Sequence, residues 1–156
     1  MKGRMKAFIS ALRDDLLLPL IRRPPLLQVA ALCLREGKGR PEVLLVTSRG
    51  TGRWILPKGW PIKGTEGHGA ALREAWEEAG VLRARAAPEP VGRYRAVKRQ
   101  DAGYSMPCDV LVYRVSVEAM TDDFPEKGER RRIWVSPKKA AQMVVEADLK
   151  RLLASL

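Results

Sequence analysis

Apolar residues follow two rhythms along this chain, and the switches between them mark its elements. Leu26 to Leu34 (LLQVAALCL) is a mostly apolar run of strand length and predicts a buried strand. Glu36-Gly37-Lys38-Gly39-Arg40-Pro41 is turn material, and Glu42 to Ser48 (EVLLVTS) predicts a second strand, so the pair reads as a hairpin. Residues 81–86, Val91 to Lys98, Cys108 to Val117 and Ile133 to Val135 complete the strand-like segments, with Cys108 to Val117 the clearest. Helical spacing takes over elsewhere. Phe8, Ile9, Leu12 and Leu16 predict an amphipathic N-terminal helix, stopped by Pro19 and by Pro24-Pro25. Leu72, Ala75, Trp76 and Ala79 predict the core face of a helix that ends at Gly80. Ser136-Pro137 starts a helix running to about Met143, and another spans about Glu146 to Leu153. Mixed strands with separated helices imply an α/β or α+β sandwich, with residues 1–25 an extension and 26–156 the domain.

Composition narrows the partners more than the fold. The 156 residues suffice for one domain with a real core. The net charge of +11 suggests an anionic partner, whether polyphosphate, nucleic acid or a membrane surface, with a generally basic, solvated surface as the plain alternative. No apolar run reaches the ~20 residues of a membrane span. The N-terminal helix is expected to pack on its own domain or on a partner subunit, and the protein to be a monomer or homodimer. Cys33 and Cys108 match no zinc or redox spacing and are expected to be buried thiols of a cytoplasmic protein.

Against this basic background the segment from Gly59 to Val81 stands out. A glycine-rich loop leads into a helix whose half of the segment carries Glu66, Glu74, Glu77 and Glu78 against a single cation, Arg73. Glu74, Glu77 and Glu78 are spaced i, i+3, i+4 and therefore project from one side, where solvent or substrate is expected to reach them. Thr65 or Glu66 is expected to cap the helix start. Three like charges so close repel one another. Arg73 can offset part of this by an i, i+4 pair to Glu77, and a divalent ion offsets more. Oxygen donors favour Mg²⁺ or Mn²⁺, bound through a few carboxylates together with substrate phosphates and water. A solvated acidic helix face is the plain alternative for such a triplet taken alone. The fixed spacing of glycine loop, Arg-Glu pair, acidic triplet and terminal glycine favours the metal.

Those residues resemble the Nudix box, G-x5-E-x7-R-E-U-x-E-E-x-G-U, where U is bulky and aliphatic. Gly59, Arg73-Glu74, Glu77-Glu78, Gly80 and Val81 fit it. Thr65 occupies the first glutamate position, with Glu66 one place late, and Ala75 occupies the middle U. Trp54-Ile55-Leu56-Pro57-Lys58-Gly59 and Arg130-Arg131-Arg132-Ile133-Trp134-Val135 are similar to the branch that includes diphosphoinositol polyphosphate and diadenosine polyphosphate hydrolases. The resemblance implies an α/β/α sandwich with a mixed sheet between helices. It also implies metal-dependent hydrolysis of a diphosphate linkage, with Gly59, Glu74, Glu77 and Glu78 at the metal. Arg73, Glu77 and Glu78 would be the catalytic set, with Arg73 orienting a glutamate. Glu78, Glu126 or Glu129 would be the general base.

Lys58, Arg53, Arg95 and Arg130 are the leading substrate contacts, within a basic rim that also draws on Arg49, Arg93, Lys98, Arg99, Arg131 and Arg132. Trp60 is expected to pack on its loop. The favoured substrate is a dinucleoside polyphosphate or a diphosphoinositol polyphosphate. The alternative from another class is a Nudix-fold module that binds a ligand or RNA with little or no turnover. A nucleic-acid partner is possible but not favoured, since no zinc-finger or RNP motif is present.

Overall fold

Strand β1 (Leu26–Glu36) lies in the middle of the sheet and is buried on both faces, which is why its sequence is almost continuously apolar rather than alternating. The computed structural model describes residues 25–99 and 103–156. The expected N-terminal helix lies outside the described residues. Along β1 successive side chains serve opposite cores: Ala30, Leu32 and Leu34 enter one, and Val29, Ala31 and Cys33 the other.

β2 (Pro41–Thr47) folds back on β1 as the hairpin, with Leu34 opposite Val43. On its other side β2 pairs with β3 (Trp54–Ile55) and β8 (Arg132–Val135). The short β4 (Lys58–Gly59) pairs antiparallel with β1, Gly59 opposite Val29. β7 (Ser105–Met120) runs parallel to β1, from Leu26 opposite Cys108 to Leu34 opposite Ser116. It extends past the predicted segment at both ends because its two halves have different partners. Its first half pairs with β6 (Gly92–Arg99) and its second with β5 (Val81–Ala86). The result is an eight-stranded mixed sheet.

Helix α1 (Gly67–Ala79) covers one face and helices α2 (Pro137–Met143) and α3 (Ala147–Ala154) the other, giving the expected sandwich. Ser136 caps α2 by accepting the Lys139 N–H at 3.2 Å. Gly80 ends α1 in the left-handed region, φ 71°, where a side chain would strike the Thr121 carbonyl.

The start and the buried face of α1 differ from expectation. Glu66 holds the N-cap position, but its side chain makes no capping hydrogen bond, nor does Thr65 replace it there. The buried stripe is Ala71, Ala75, Glu78 and Ala79, which is i, i+4, i+7, i+8. Small alanines bring the helix close to β1, and this stripe takes Glu78 inward with it. Trp76, expected in the core, is displaced to the surface and is 40% exposed. Among the described residues no helix is long and apolar enough to cross a membrane.

Candidate active site

The burial of Glu78 sets the geometry of the site. Its carboxylate is held from two directions: the Lys58 backbone N–H of β4 donates to Oε2 at 3.0 Å, and Arg130 Nη2 donates to Oε1 at 2.5 Å. Arg130 is itself buried, between the end of β2 and α1. Its Nη1 donates to the Thr47 carbonyl at 3.0 Å, and its Nε to Glu126 Oε2 at 2.7 Å. The loop that carries Glu126 is pinned to the helix by the Glu126 N–H, which donates to the Glu77 carbonyl at 3.0 Å. One guanidinium therefore aligns a helix carboxylate with a loop carboxylate.

Glu74, one turn earlier on α1, packs against the backbone of Gly59, so closely that a methyl group at Gly59 would overlap its carboxylate. Glu77 lies further round the helix, away from the buried stripe, and pairs with Arg73 Nε at 2.8 Å. Arg73 is largely exposed, so it steadies Glu77 from outside the cleft.

Burial dominates the electrostatics. It pushes the Glu78 carboxyl up to about 7, although Arg130 and the Lys58 N–H favour the charged form. Glu74 is also raised, first by burial and then by the charges of Glu77 and Glu126. Partly buried carboxylates with raised pKa values, gathered in one cleft, mark it as a candidate functional site.

A cleft of about 730 Å³ opens in front of them. Glu74, Glu77, Glu78 and Glu126 line it together with Gly59, and Arg49, Arg53, Lys58, Lys98 and Arg99 supply positive charge. Lys58 Nζ donates to Gln28 Oε1 at 2.8 Å, and burial holds its ammonium below the ordinary range. Lys98 Nζ sits 4.5 Å from the centroid of the Trp60 ring. Arg49 reaches Glu126 at 3.3 Å and Arg53 reaches Glu146 at 3.8 Å.

Not every expected residue converges here. Arg95 does not line the cleft; it lies further back along β6, and its side chain pairs with Asp109 of β7 at 2.9 Å. Glu129 is half exposed beside Arg49 and also lies off the cleft. Arg130 lines the cleft, but all the hydrogen bonds found for it go to protein oxygens, so it organises carboxylates where a substrate contact was expected. Arg131 and Arg132 are spent elsewhere: Arg131 stacks 5.5 Å from the Trp54 ring, and Arg132 donates to the Ala79 carbonyl at 2.7 Å.

Three contributors were missed. Gln28 had a signal, as the one polar residue inside an apolar strand run, and such a residue needs a buried partner. Thr47 and Glu146 had none, since their partners come from distant segments.

Among the described residues no group of three histidine, cysteine or acidic side chains is placed to hold a metal ion by itself. The open donor set is nevertheless suited to a hard divalent ion. All its donors are oxygen, burial disfavours the bare charge of Glu74 and Glu78, and phosphate would complete the shell. Gly59, Glu74 and Glu78 are the residues placed to hold such an ion, with Glu77 and Glu126 beside them.

Comparison with known proteins places this architecture. The NUDIX domain pattern matches residues 24–156. The chain is 30% identical over 121 residues to human diphosphoinositol polyphosphate phosphohydrolase 3-alpha, which covers 75% of this chain and 68% of that protein. It is 28% identical over 120 residues to human diphosphoinositol polyphosphate phosphohydrolase 2, covering 75% and 61%. The Ap4A hydrolase of C. elegans has a similar structure, with a TM-score of 0.62 at 20% identity over 84% of this chain and 95% of that one. The NUDIX domain of Shewanella oneidensis NrtR, solved with ADP ribose, gives 0.63 at 19% identity, covering 87% and 88%. At such identities the two structures speak for the fold alone.

Proposed function

Because the chain belongs to the NUDIX domain family and is a hydrolase acting on phosphoric anhydrides, we propose that it cleaves a diphosphate linkage in a polyphosphorylated small molecule with Mg²⁺ or Mn²⁺. The observation that carries this reading is the two-sided cleft. Glu74, Glu78 and Glu126 stand on one wall, and Lys58, Lys98, Arg49 and Arg53 surround the space in front of them. Carboxylates alone would repel a polyphosphate and cations alone would only bind it. Together they suit a substrate whose charge is shared between a metal and basic side chains. A diphosphoinositol polyphosphate or a dinucleoside polyphosphate is the preferred substrate, and the names of the similar proteins support both.

A bound ion would lower the pKa of coordinated water and shield the phosphate charge. The chain's own residues do the positioning. The Gly59 carbonyl, Glu74 and Glu78 would hold the ion, with Glu77 sharing the site under the control of Arg73. Arg130 keeps Glu78 and Glu126 in register, so either is placed to take the proton of the attacking water. Of the general-base candidates, Glu129 is the least favoured because it lies off the cleft. We place the protein in the cytoplasm, where the buried free thiols of Cys33 and Cys108 would persist.

The test is a panel of diphosphoinositol polyphosphates and dinucleoside polyphosphates incubated with and without Mn²⁺. Wild-type protein should release phosphate products only with the ion, and Glu78→Gln should lose roughly 10²–10⁴-fold in rate, the usual contribution of a general base. Equal behaviour of the two proteins would sink the proposal. Metal-independent binding of a substrate with no turnover would point to the binding-module alternative.

A further inference from the structure

We propose that Lys58 and Lys98 form the seat of one substrate phosphate group, and that Trp60 props this seat instead of stacking on a base. The inference rests on the reading of the cleft as a polyphosphate site and specifies how that site is divided. The two lysines come from different parts of the sheet, Lys58 from β4 and Lys98 from β6, and both line the cleft. Each is held by a neutral partner. Gln28 Oε1 accepts from Lys58 Nζ at 2.8 Å, and the Trp60 ring lies 4.5 Å from Lys98 Nζ. Among the described residues neither ammonium forms an ion pair with a carboxylate. Burial, and to a smaller extent the charge of Lys98, disfavour the Lys58 ammonium, while Glu78 and Glu146 favour it without pairing with it directly.

Two cations lining one cleft, one of them part-buried, and both held directly by neutral groups, favour an anion between them. The carboxylates in the same cleft fill that role only in part. Glu78 is already engaged by Arg130 and by the Lys58 backbone, and Glu77 by Arg73. A phosphate group supplies the remaining counter-charge, and lysine binds phosphate well as a point charge.

The same geometry assigns Trp60. Among the described residues it is the only aromatic side chain lining the cleft, and Lys98 occupies one face of its ring. A base stacking on that face would have to displace the ammonium and break the seat. The site thus favours the phosphate-rich part of a substrate and gives a nucleoside no platform on that face.

Calorimetric titration of the metal-free protein in EDTA, with inorganic pyrophosphate and with ADP as probes, tests this without catalysis. Wild type should bind both with similar affinity. Lys98→Met should weaken pyrophosphate binding about tenfold, the effect of losing one charge-assisted hydrogen bond. Lys98→Arg should retain it, which separates lost charge from a damaged fold. Trp60→Leu should weaken both probes to the same smaller extent. The assignment is overturned if wild type does not bind pyrophosphate or if Lys98→Met binds it like wild type. It is also overturned if ADP binds at least about tenfold tighter than pyrophosphate and loses that advantage in Trp60→Leu, since base stacking on an aromatic ring has that scale. Absence of turnover in the Mn²⁺ panel alongside Lys98-dependent pyrophosphate binding would defeat the hydrolytic reading and leave the seat standing.

Discussion

The two sides of the cleft are built differently. On the acidic side, Glu78 is 5% exposed and is locked by Arg130 and a backbone N–H, while Glu126 is tied through the same guanidinium. On the basic side, the side chains of Arg49 and Arg53 are 57% and 43% exposed, and they pair with Glu126 at 3.3 Å and with Glu146 at 3.8 Å. The first is a packed network whose members depend on one another. The second is a set of long side chains that can follow a ligand at little structural cost. Damage to the Arg130 network should therefore alter both fold and chemistry, whereas damage to Arg49 or Arg53 should alter affinity alone.

Arg130→Met is the sharpest way to break that contrast. It strips two carboxylates of their buried counter-charge and should cost about 3–5 kcal/mol in metal-free stability, toward the lower figure where Glu78 can take up a proton. Chemical denaturation at neutral pH measures the loss, and activity should fall with it. A change under 1 kcal/mol would show that the network is not interlocked.

Glu74→Gln separates chemistry from stability on the same wall. Activity should drop by at least about 10–100-fold, the scale seen when only the outer supports of a metal ligand are lost. Stability should hold or rise, because burial and the neighbouring charges of Glu77 and Glu126 already disfavour the Glu74 carboxylate. A coupled loss of stability would place Glu74 in the structural network instead.

pH gives a gentler test. The Glu78 carboxyl is raised from its ordinary 4.5 to about 7, so between these values the folded protein holds a proton that the unfolded chain has released. This contribution to stability is complete below about 4.5 and is lost as pH rises through about 7. Thermal unfolding of metal-free protein should show that decline, and Glu78→Gln should flatten it. Metal affinity should run the opposite way, tightening as Glu78 loses its proton.

The same contrast explains what could be read before folding. The acidic side was legible because its spacing lies within one helix: Glu74, Glu77, Glu78 and Gly80 keep their relation wherever the helix goes. The sheet was legible too, since a double-sided apolar run such as Leu26 to Leu34 has few places other than the centre of a covered sheet. The face of α1 was misjudged at Trp76: Ala75 and Ala79 are buried as expected, but the stripe runs on through Ala71 and Glu78, which buries that carboxylate and exposes the indole. The basic side was not legible, for arginines at many positions look alike until strand alternation and tertiary pairing sort them. Arg130 turned inward and Arg95 turned away from the cleft.

Arg95 offers the smallest effect and the most direct check of that sorting. It sits on β6 three residues before Lys98, so the two point to opposite faces of the sheet. Its partner Asp109 is the residue directly opposite on β7, and the pair is exposed on the arginine side. Arg95→Ala should thus change stability by no more than about 1 kcal/mol, as for other surface pairs, and should leave both kcat and KM for a polyphosphate substrate at wild-type values. Arg53→Ala in the same assay should raise KM and spare kcat, since Arg53 lines the cleft without touching the carboxylate network. If the Arg95 substitution raised KM as much as the Arg53 one, substrate would have to extend over the outer face of β6, and the basic side would be wider than the cleft itself.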